Sequence, residues 1–245
     1  MPDYALTDPA VLPFIVIPLL LVAALVAGVA IGSRRLGESP AARRRAVLVT
    51  IAAAAAWMAS TWGAAQSGAL LDFRRTPPPF ALLVVAIVLL AARIALTRYG
   101  RRLAVGVPLW ALVGVQAFRL PLELAMHALV GRGIMPEQMS YSGRNFDIVT
   151  GSTAIVVAAM VWAGRGGRGL VAAWNILGLA LLLNIVTVAI LSTPRFRYFG
   201  DDRLNVFVMY PPFVWLPAVM VLAALAGHLL VFRALTLNAA VRPPR

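Results

Sequence analysis

Long apolar runs separated by short, charged connections dominate this chain. Seven of these runs are long enough to cross a hydrocarbon core of roughly 30 Å as helices that rise about 1.5 Å per residue. They lie near residues 11–32, 46–71, 80–98, 104–129, 147–164, 170–193 and 212–235. The pattern predicts an all-α protein, a polytopic transmembrane helical bundle of seven spans that forms a single integral membrane domain over residues 1–245.

Arginine is distributed unequally between the two sets of connections. The connections after spans 1, 3 and 5 and the C-terminal end together hold 13 arginines, whereas the connections on the opposite side hold 7. Basic residues accumulate on the cytoplasmic side of membrane proteins. The count therefore predicts an N-terminus outside, a C-terminus in the cytoplasm, and a multi-pass protein of the inner (plasma) membrane.

Composition agrees with this class and excludes several functions. The chain is 61% hydrophobic, and it contains no cysteine and no lysine. The absence of cysteine excludes disulfides and thiolate metal sites, and the absence of lysine excludes a retinal Schiff base. The net charge of +13 is explained by inner arginines facing anionic lipid at the cytoplasmic face, so no nucleic-acid partner is expected.

Three ionisable residues follow one another at intervals of four in the fourth run. Arg119, Glu123 and His127 would lie along one side of a helix, at a depth where charged groups are costly and mark a ligand site, a pathway or a structural ion pair. Pro121 leaves the Ala117 carbonyl without its helical partner, so we expect a kink beside these residues.

Further polar residues fall near the same predicted outer end of the spans. Arg144 and Asn145 lie just before the fifth run and Asp147 begins it, while Asn184 lies in the sixth run and Gln66 near the end of the second. Together with the three residues of the fourth run, they could line one outward-facing pocket. The alternatives are a helix cap at Asn145 or Asp147, and interhelical hydrogen bonding by Asn184.

Two polar residues of the opposite half have simpler interpretations. Asn175 is expected to form interhelical hydrogen bonds, and His228 is expected to be a structural histidine.

A metal site is one interpretation of the fourth run. Glu123 and His127, four residues apart on a helix, could both reach one cation, with further ligands from Asp147, Asp201 or Asp202. The sequence itself identifies no cofactor.

Four stretches of the chain together resemble a known group of proteins. They are residues 118–124 (Phe-Arg-Leu-Pro-Leu-Glu-Leu) with His127, residues 143–147, residues 174–179 running on to 184–186, and residues 210–217. They resemble a family of bacterial multi-pass, seven-span membrane proteins to which no activity is assigned. The resemblance covers roughly residues 60–235. It implies that the four stretches belong to one unit, and it supplies no function.

Three functions fit these observations. The first is a protein that binds or transports a small anionic or zwitterionic ligand in the outward-facing pocket, with an Arg119–Glu123 pair as gate or proton-coupling element. The second is a membrane-embedded, metal- or cofactor-dependent enzyme that uses Glu123 and His127, with Asp147 in support. The third is an accessory subunit whose buried charges pair with a membrane-protein partner. We favour the first interpretation.

Overall fold

The computed structural model describes residues 4–240, with side chains as far as Leu237. Arg242 and Arg245, which contribute to the arginine count above, lie outside the described residues. The described part of the chain is helical and contains no strand. Its α-helices are α1 (Pro13–Arg35), α2 (Pro40–Gln66), α3 (Pro79–Leu96), α4 (Arg98–Gly106), α5 (Leu109–Gly114), α6 (Arg119–Gly131), α7 (Asp147–Trp162), α8 (Arg168–Leu191) and α9 (Leu222–Ala240).

Within the described residues, six helical segments are long and apolar enough to cross a membrane, which makes this a multi-pass membrane protein. They are α1, α2, α3, the α5–α6 segment Leu109–Gly131, α8, and the last segment Leu216–Leu237. Apolar side chains on their outer faces, such as Leu20 and Leu89, are 63% and 64% exposed and would contact lipid. The fifth predicted span corresponds to α7, whose 16 residues reach about 24 Å. Seven spans thus remain a prediction.

Proline sets the position of several helix ends. Pro40 is the first residue of α2, and the Ser39 hydroxyl before it accepts a hydrogen bond from the Ala42 amide at 3.2 Å. The fourth predicted span begins near residue 104, but the structure has a break at Val107 and a new helix from Leu109. Pro108 explains this difference because it disfavours the helical conformation in the residue before it.

The α5–α6 segment is irregular in its middle. Val115–Phe118 form a turn of 3₁₀-helix directly before Arg119, the first residue of α6. Pro121 lies in the following turn and has no backbone N–H to donate to Ala117. The departure from regular helix lies beside Arg119, where the kink was expected.

Arginines brace the end of the bundle where α1 and α3 finish. Arg233 donates to the carbonyls of Ala95 and Thr97, each at 2.6 Å, and so holds the corner between α3 and α4. Arg102 forms an ion pair with Glu38 at 2.7 Å, and this hydrogen bond lowers the pKa of the Glu38 carboxyl. Part of the basic excess at this end therefore stabilises the fold itself.

A polar layer lies between the two largest apolar clusters of the bundle. One apolar cluster includes Phe14, Leu122 and Phe213, and the other includes Val113, Ala154, Trp174 and Val231. On the α5–α6 segment, α8 and α9, the buried polar residues lie between members of the two clusters, whereas on α7 Thr150 precedes members of the second cluster only. They are Gln116, Arg119, Thr150, Asn175 and His228, and each is at most 1% exposed.

Gly151 allows two helices of this layer to approach closely. A Cβ atom on Gly151 would lie 2.4 Å from the Leu120 amide nitrogen, so α7 packs directly on the backbone at the start of α6. No larger residue would fit without moving one of the helices. The contact brings Asp147, one turn before Gly151, next to Arg119.

Candidate functional site

Arg119 lies at the centre of a buried group of charged and polar side chains. The residue is 1% exposed. Its Nη1 atom lies 3.4 Å from Oδ1 of Asp147 and donates to the Gly178 carbonyl, also at 3.4 Å. The carboxylate found within ion-pair distance of Arg119 is thus that of Asp147 and not that of Glu123. The expected Arg119–Glu123 pair is replaced by an ion pair between α6 and α7.

Glu123 is held by Asn145, which comes from the connection between α6 and α7. Asn145 Nδ2 donates to Oε1 of Glu123 at 2.6 Å and to the Met139 carbonyl at 3.1 Å. Asn145 Oδ1 also accepts the backbone N–H of Asp147 at 3.1 Å. The N-cap residue of α7 is Phe146, without a side-chain cap bond, so the structure does not show the expected cap at Asn145 or Asp147. Asn145 instead bonds the first amide of α7 and fixes Glu123.

The group carries an excess of negative charge when its carboxyl groups are ionised. Arg119 contributes one positive charge, whereas Glu123 and Asp147 contribute two carboxylates, and all three residues are at most 6% exposed. Buried charges at membrane depth are normally paired. A proton on one carboxyl group, or a cationic group in contact with it, would balance the cluster.

A cavity of about 80 Å³ adjoins this cluster. Since roughly 10–15 Å³ of such space is enough for one water molecule, the cavity can hold a small organic molecule. Its wall is mostly apolar and includes Leu122, Met126 and Ile185, but Arg119, Glu123, Asn145, Asp147 and Asn205 also line it. An apolar pocket with a few convergent polar groups is the usual form of a small-ligand site.

A stretch of π-helix forms another part of the cavity wall. Leu216–Val221 adopt this wider helix just before α9, and Leu216, Pro217 and Met220 face the cavity. The indole of Trp57 on α2 donates to the Ala218 carbonyl at 2.7 Å. π-Helical turns are rare overall, but those that occur often lie at functional sites. This segment is therefore consistent with a ligand site.

Several polar atoms of the cavity wall are buried without a protein partner. Among the described residues, these atoms are Nε and Nη2 of Arg119, Oε2 of Glu123 and Oδ1 of Asn205. Leaving a buried polar atom without a hydrogen bond costs about 1–3 kcal/mol. These atoms belong to residues that line the cavity, and each atom is itself buried.

Four of the eight sequence-predicted residues lie together at this cavity, and four do not. Those that line it are Arg119, Glu123, Asn145 and Asp147. His127 is exposed and stacks on Tyr141 with the ring centres 4.6 Å apart. Each step of four residues turns the helix by about 40°, so His127 has rotated away from the side that Arg119 occupies.

The remaining three predicted residues lie at the surface. The Arg144 guanidinium lies over the ring of Phe199 at 5.2 Å, while Asn184 donates to the Arg144 carbonyl at 2.8 Å. Gln66 is exposed at the end of α2. Asn184 thus bonds to the connection before α7, whereas the alternative interpretation expected a bond to another helix.

The metal interpretation has little geometric support. Within residues 4–237, no three residues of the types His, Cys, Asp or Glu are grouped closely enough to hold a metal ion. Glu123 is bonded to Asn145, whereas Nδ1 of His127 lies 3.3 Å from the Ser142 hydroxyl. The two residues therefore have separate partners.

No sequence pattern linked the polar-layer residues Asn175 and His228 to the Arg119 cluster. His228 Nδ1 lies 2.8 Å from Oδ1 of Asn175, and Asn175 Nδ2 donates to the His228 carbonyl at 3.1 Å, which confirms the expected interhelical bonding. The His228 ring also packs against Gly178, whose carbonyl binds Arg119. The signal in the sequence is a glycine within three residues of the polar-layer residues Thr150, Asn175 and His228.

Asn205 also lines the cavity, although no sequence pattern singled it out. It is 1% exposed, and its backbone N–H donates to the Ser192 carbonyl at 2.8 Å. A polar loop residue gives no sign of such burial by itself.

Comparison with known proteins assigns the chain to a family but to no functional class. Neither a curated protein nor a solved structure matches it. One family does match, described as a domain of unknown function (DUF8737), over residues 78–236. The matched region is more than half of the chain and holds Arg119, Glu123, Asn145, Asp147 and Asn205. This multi-pass membrane protein therefore belongs to the DUF8737 family.

Proposed function

We propose that this protein binds or transports a small anionic or zwitterionic ligand in the cavity beside Arg119, and that binding is coupled to a proton on Glu123. The observation that carries the proposal is that Arg119 and Glu123, which line a mostly apolar cavity, have buried polar atoms without a partner among the described residues. A ligand that bonded to them would remove the cost of their burial.

The unpartnered atoms of Arg119 are arranged for an oxyanion. Its Nη1 atom is occupied by Asp147 and Gly178, which leaves Nε and Nη2. These two nitrogens share one edge of the planar guanidinium, and such an edge binds a carboxylate through two parallel hydrogen bonds.

Glu123 supplies the proton in this proposal. Asp147 is already ion-paired with Arg119, whereas Oε1 of Glu123 accepts from Asn145 and Oε2 has no partner among the described residues. A proton on Oε2 would make the cluster neutral and add a third donor for a ligand carboxylate. Without that proton, Glu123 would repel the carboxylate, so binding and protonation favour each other.

The cavity is proposed to open towards the outside of the cell. Its lining includes Met139, Asn145, Asn205 and Val208, from the connections that precede α7 and follow α8. The arginine count predicts that both connections are external. Ligand and proton would then enter from the outer side.

Replacing Glu123 with glutamine is expected to abolish ligand-driven proton movement while leaving folding largely intact. The glutamine carbonyl can still accept from Asn145, and its amide can donate as the protonated carboxyl would, but it cannot release a proton. The measurement uses proteoliposomes loaded with pyranine, to which lactate, glycine, L-alanine or L-valine is added outside. Wild-type vesicles should acidify with at least one of these compounds.

Glu137→Gln is the matched control, because Glu137 is an exposed carboxylate in the connection before α7. This variant should behave as wild type, and protein-free vesicles should report any passive entry of weak acid. Normal acidification by the Glu123→Gln protein would refute the role of Glu123. Failure of every compound to acidify wild-type vesicles above the protein-free level would count against coupled transport.

We also propose the finer topology of seven spans, with the N-terminus outside and the C-terminus in the cytoplasm of a bacterial cell. In this arrangement α7 crosses the membrane together with residues that flank it. A phosphatase reporter, active only outside, should be inactive when fused after residue 245 and active when fused in the connection at residue 137. The opposite pattern would reverse the orientation.

A further inference from the structure

We propose that the C-terminal end of α7 carries a binding site for one anionic phospholipid, with an acyl chain in an apolar groove and the headgroup phosphate on Arg165. The inference goes beyond the proposed function and does not depend on it, because the groove shares no lining residue with the cavity beside Arg119. It is carried by the exposure of the groove, the fixed position of Arg165 and the uncompensated charge of its side chain.

The groove follows the last two turns of α7 and ends at the turn after this helix. Its apolar lining includes Ile155, Val156, Met160 and Trp162, and Arg165 is the charged residue that lines it. Ile155, Val156 and Trp162 are 52%, 58% and 72% exposed. An apolar helix face that is exposed at membrane depth meets acyl chains, so the groove suits the hydrocarbon part of a lipid.

Backbone hydrogen bonds hold Arg165 at the end of the groove. The amides of Arg165 and Gly166 both donate to the Met160 carbonyl, at 2.8 and 2.9 Å, so the chain folds back onto the last turn of α7. Gly164, directly before Arg165, has a φ of 72°, a left-handed conformation that favours glycine. The position of Arg165 beside the groove is therefore set by the fold.

The charge of Arg165 is not compensated by the part of the chain that the structure describes. Its side chain makes no hydrogen bond or ion pair there, whereas Arg168 in the same connection donates to the Leu235 carbonyl. The connections predicted to be cytoplasmic contain one acidic residue, Glu38, and its carboxylate is paired with Arg102. The complement of the Arg165 guanidinium is therefore an anion from outside the protein.

The length of α7 brings Arg165 close to the level of the lipid phosphates. The 16 residues of this helix reach about 24 Å, whereas the hydrocarbon core is roughly 30 Å thick. Arg165 follows the last helical residue, Trp162, by three positions, and tryptophan is typical of the boundary between hydrocarbon and headgroups. A guanidinium at this boundary can bind phosphate oxygens through two parallel N–H groups.

The net charge of the headgroup decides which phospholipid is preferred. Phosphatidylglycerol carries only the phosphate charge, so its pair with Arg165 is neutral. Phosphatidylcholine also carries a quaternary ammonium group, which the arginine repels. We therefore expect the anionic lipid to be enriched at the groove by about fivefold over the zwitterionic lipid with the same acyl chains, the effect of one basic residue near an anionic surface.

Quenching of Trp162 fluorescence by brominated lipids measures this enrichment. The protein is reconstituted into phosphatidylcholine vesicles that contain a small fraction of lipid brominated in an acyl chain, either phosphatidylglycerol or phosphatidylcholine. The Trp162 signal is the difference between the wild type and Trp162→Phe. Brominated phosphatidylglycerol should reach half-quenching at a mole fraction about fivefold lower than brominated phosphatidylcholine. High salt should reduce this difference, because it screens charges near the surface.

Variants of single arginines connect the result to the groove, each compared with its own Trp162→Phe form. Arg165→Gln removes the charge and should make the two lipids quench equally. Arg165→Lys retains a charge that binds phosphate and should keep most of the preference. Arg44→Gln is the matched control, because Arg44 is also an exposed arginine on the predicted cytoplasmic side but lies on α2. It should keep the wild-type preference.

Four results would overturn the lipid site. Equal quenching of the wild type by the two lipids would show that the groove does not select charge. An unchanged preference in Arg165→Gln would show that another group attracts the lipid. An equal loss in Arg44→Gln would assign the preference to the general charge of this surface. Quenching by neither lipid would indicate that a second copy of the protein covers the groove. The proton-movement experiment on Glu123 is independent of all four.

Discussion

Replacing Arg119 with methionine is expected to lower the free energy of unfolding by about 3–5 kcal/mol. The substitution removes the positive charge from a buried cluster and leaves Asp147 without its ion-pair partner at 3.4 Å. It also leaves the Gly178 carbonyl without the donor it has in the wild type. The measurement is the unfolding transition of the purified protein in one detergent, followed by helical circular dichroism.

Two further variants show whether charge or packing causes the loss. The double variant Arg119→Met/Asp147→Leu removes the ion pair as a whole, and replacement of a buried pair by apolar residues is often neutral. It should therefore be more stable than Arg119→Met alone. Arg197→Ala breaks an ion pair whose side chains are 58% and 72% exposed, and it should change stability by no more than about 1 kcal/mol.

The prediction fails if Arg119→Met unfolds with the wild-type transition, or if the double variant is less stable than Arg119→Met alone. The first result would show that the buried carboxylates do not depend on the arginine charge for stability. The second would show that the packing of the two side chains matters more than their charges.

Replacing Gly151 with alanine is expected to destabilise the protein by about 1–3 kcal/mol, the usual cost of overpacking. The added Cβ would lie 2.4 Å from the Leu120 nitrogen and 3.0 Å from the Arg119 carbonyl carbon. Both contacts are with backbone, which cannot rotate away as a side chain can. Helix α7 would have to move away from α6, and the distance between Asp147 and Arg119 would increase. The same unfolding experiment measures the loss.

Gly63→Ala is the matched control for this substitution. Gly63 also lies inside a long helix, α2, but a Cβ there meets nothing within 4 Å. Alanine is the better helix former by about 1 kcal/mol, so this variant should be as stable as wild type or more stable. Equal effects of the two substitutions would show that the close contact at Gly151 has no special cost.

Both predictions concern the same contact between α6 and α7, and they differ in their effect on the cavity. Arg119→Met removes the guanidinium edge that we assign to the ligand, so no ligand carboxylate could be bound there. Gly151→Ala keeps every polar side chain and only shifts Asp147. A loss of ligand binding in Gly151→Ala would therefore result from the shifted position of Asp147 and not from the loss of a polar group.

The sequence by itself determined the class of the protein and part of the site. In a membrane, an apolar run of some twenty residues must form a helix, because its backbone N–H and C=O groups can hydrogen-bond only within the segment. This is why the all-α, multi-pass prediction agrees with the structure. Arg119, Glu123, Asn145 and Asp147 were identified because polar residues beside or within apolar runs are rare.

The tertiary structure decided which of these residues meet. Spacing along one helix suggested that Arg119 pairs with Glu123, but Gly151 lets α7 approach closely enough for Asp147 to take that place. Spacing also grouped His127 with them, although two successive four-residue steps rotate it by about 80° to the surface. Asn205 and His228 come from segments distant in sequence. Their positions depend on how the helices pack together, which no local pattern records.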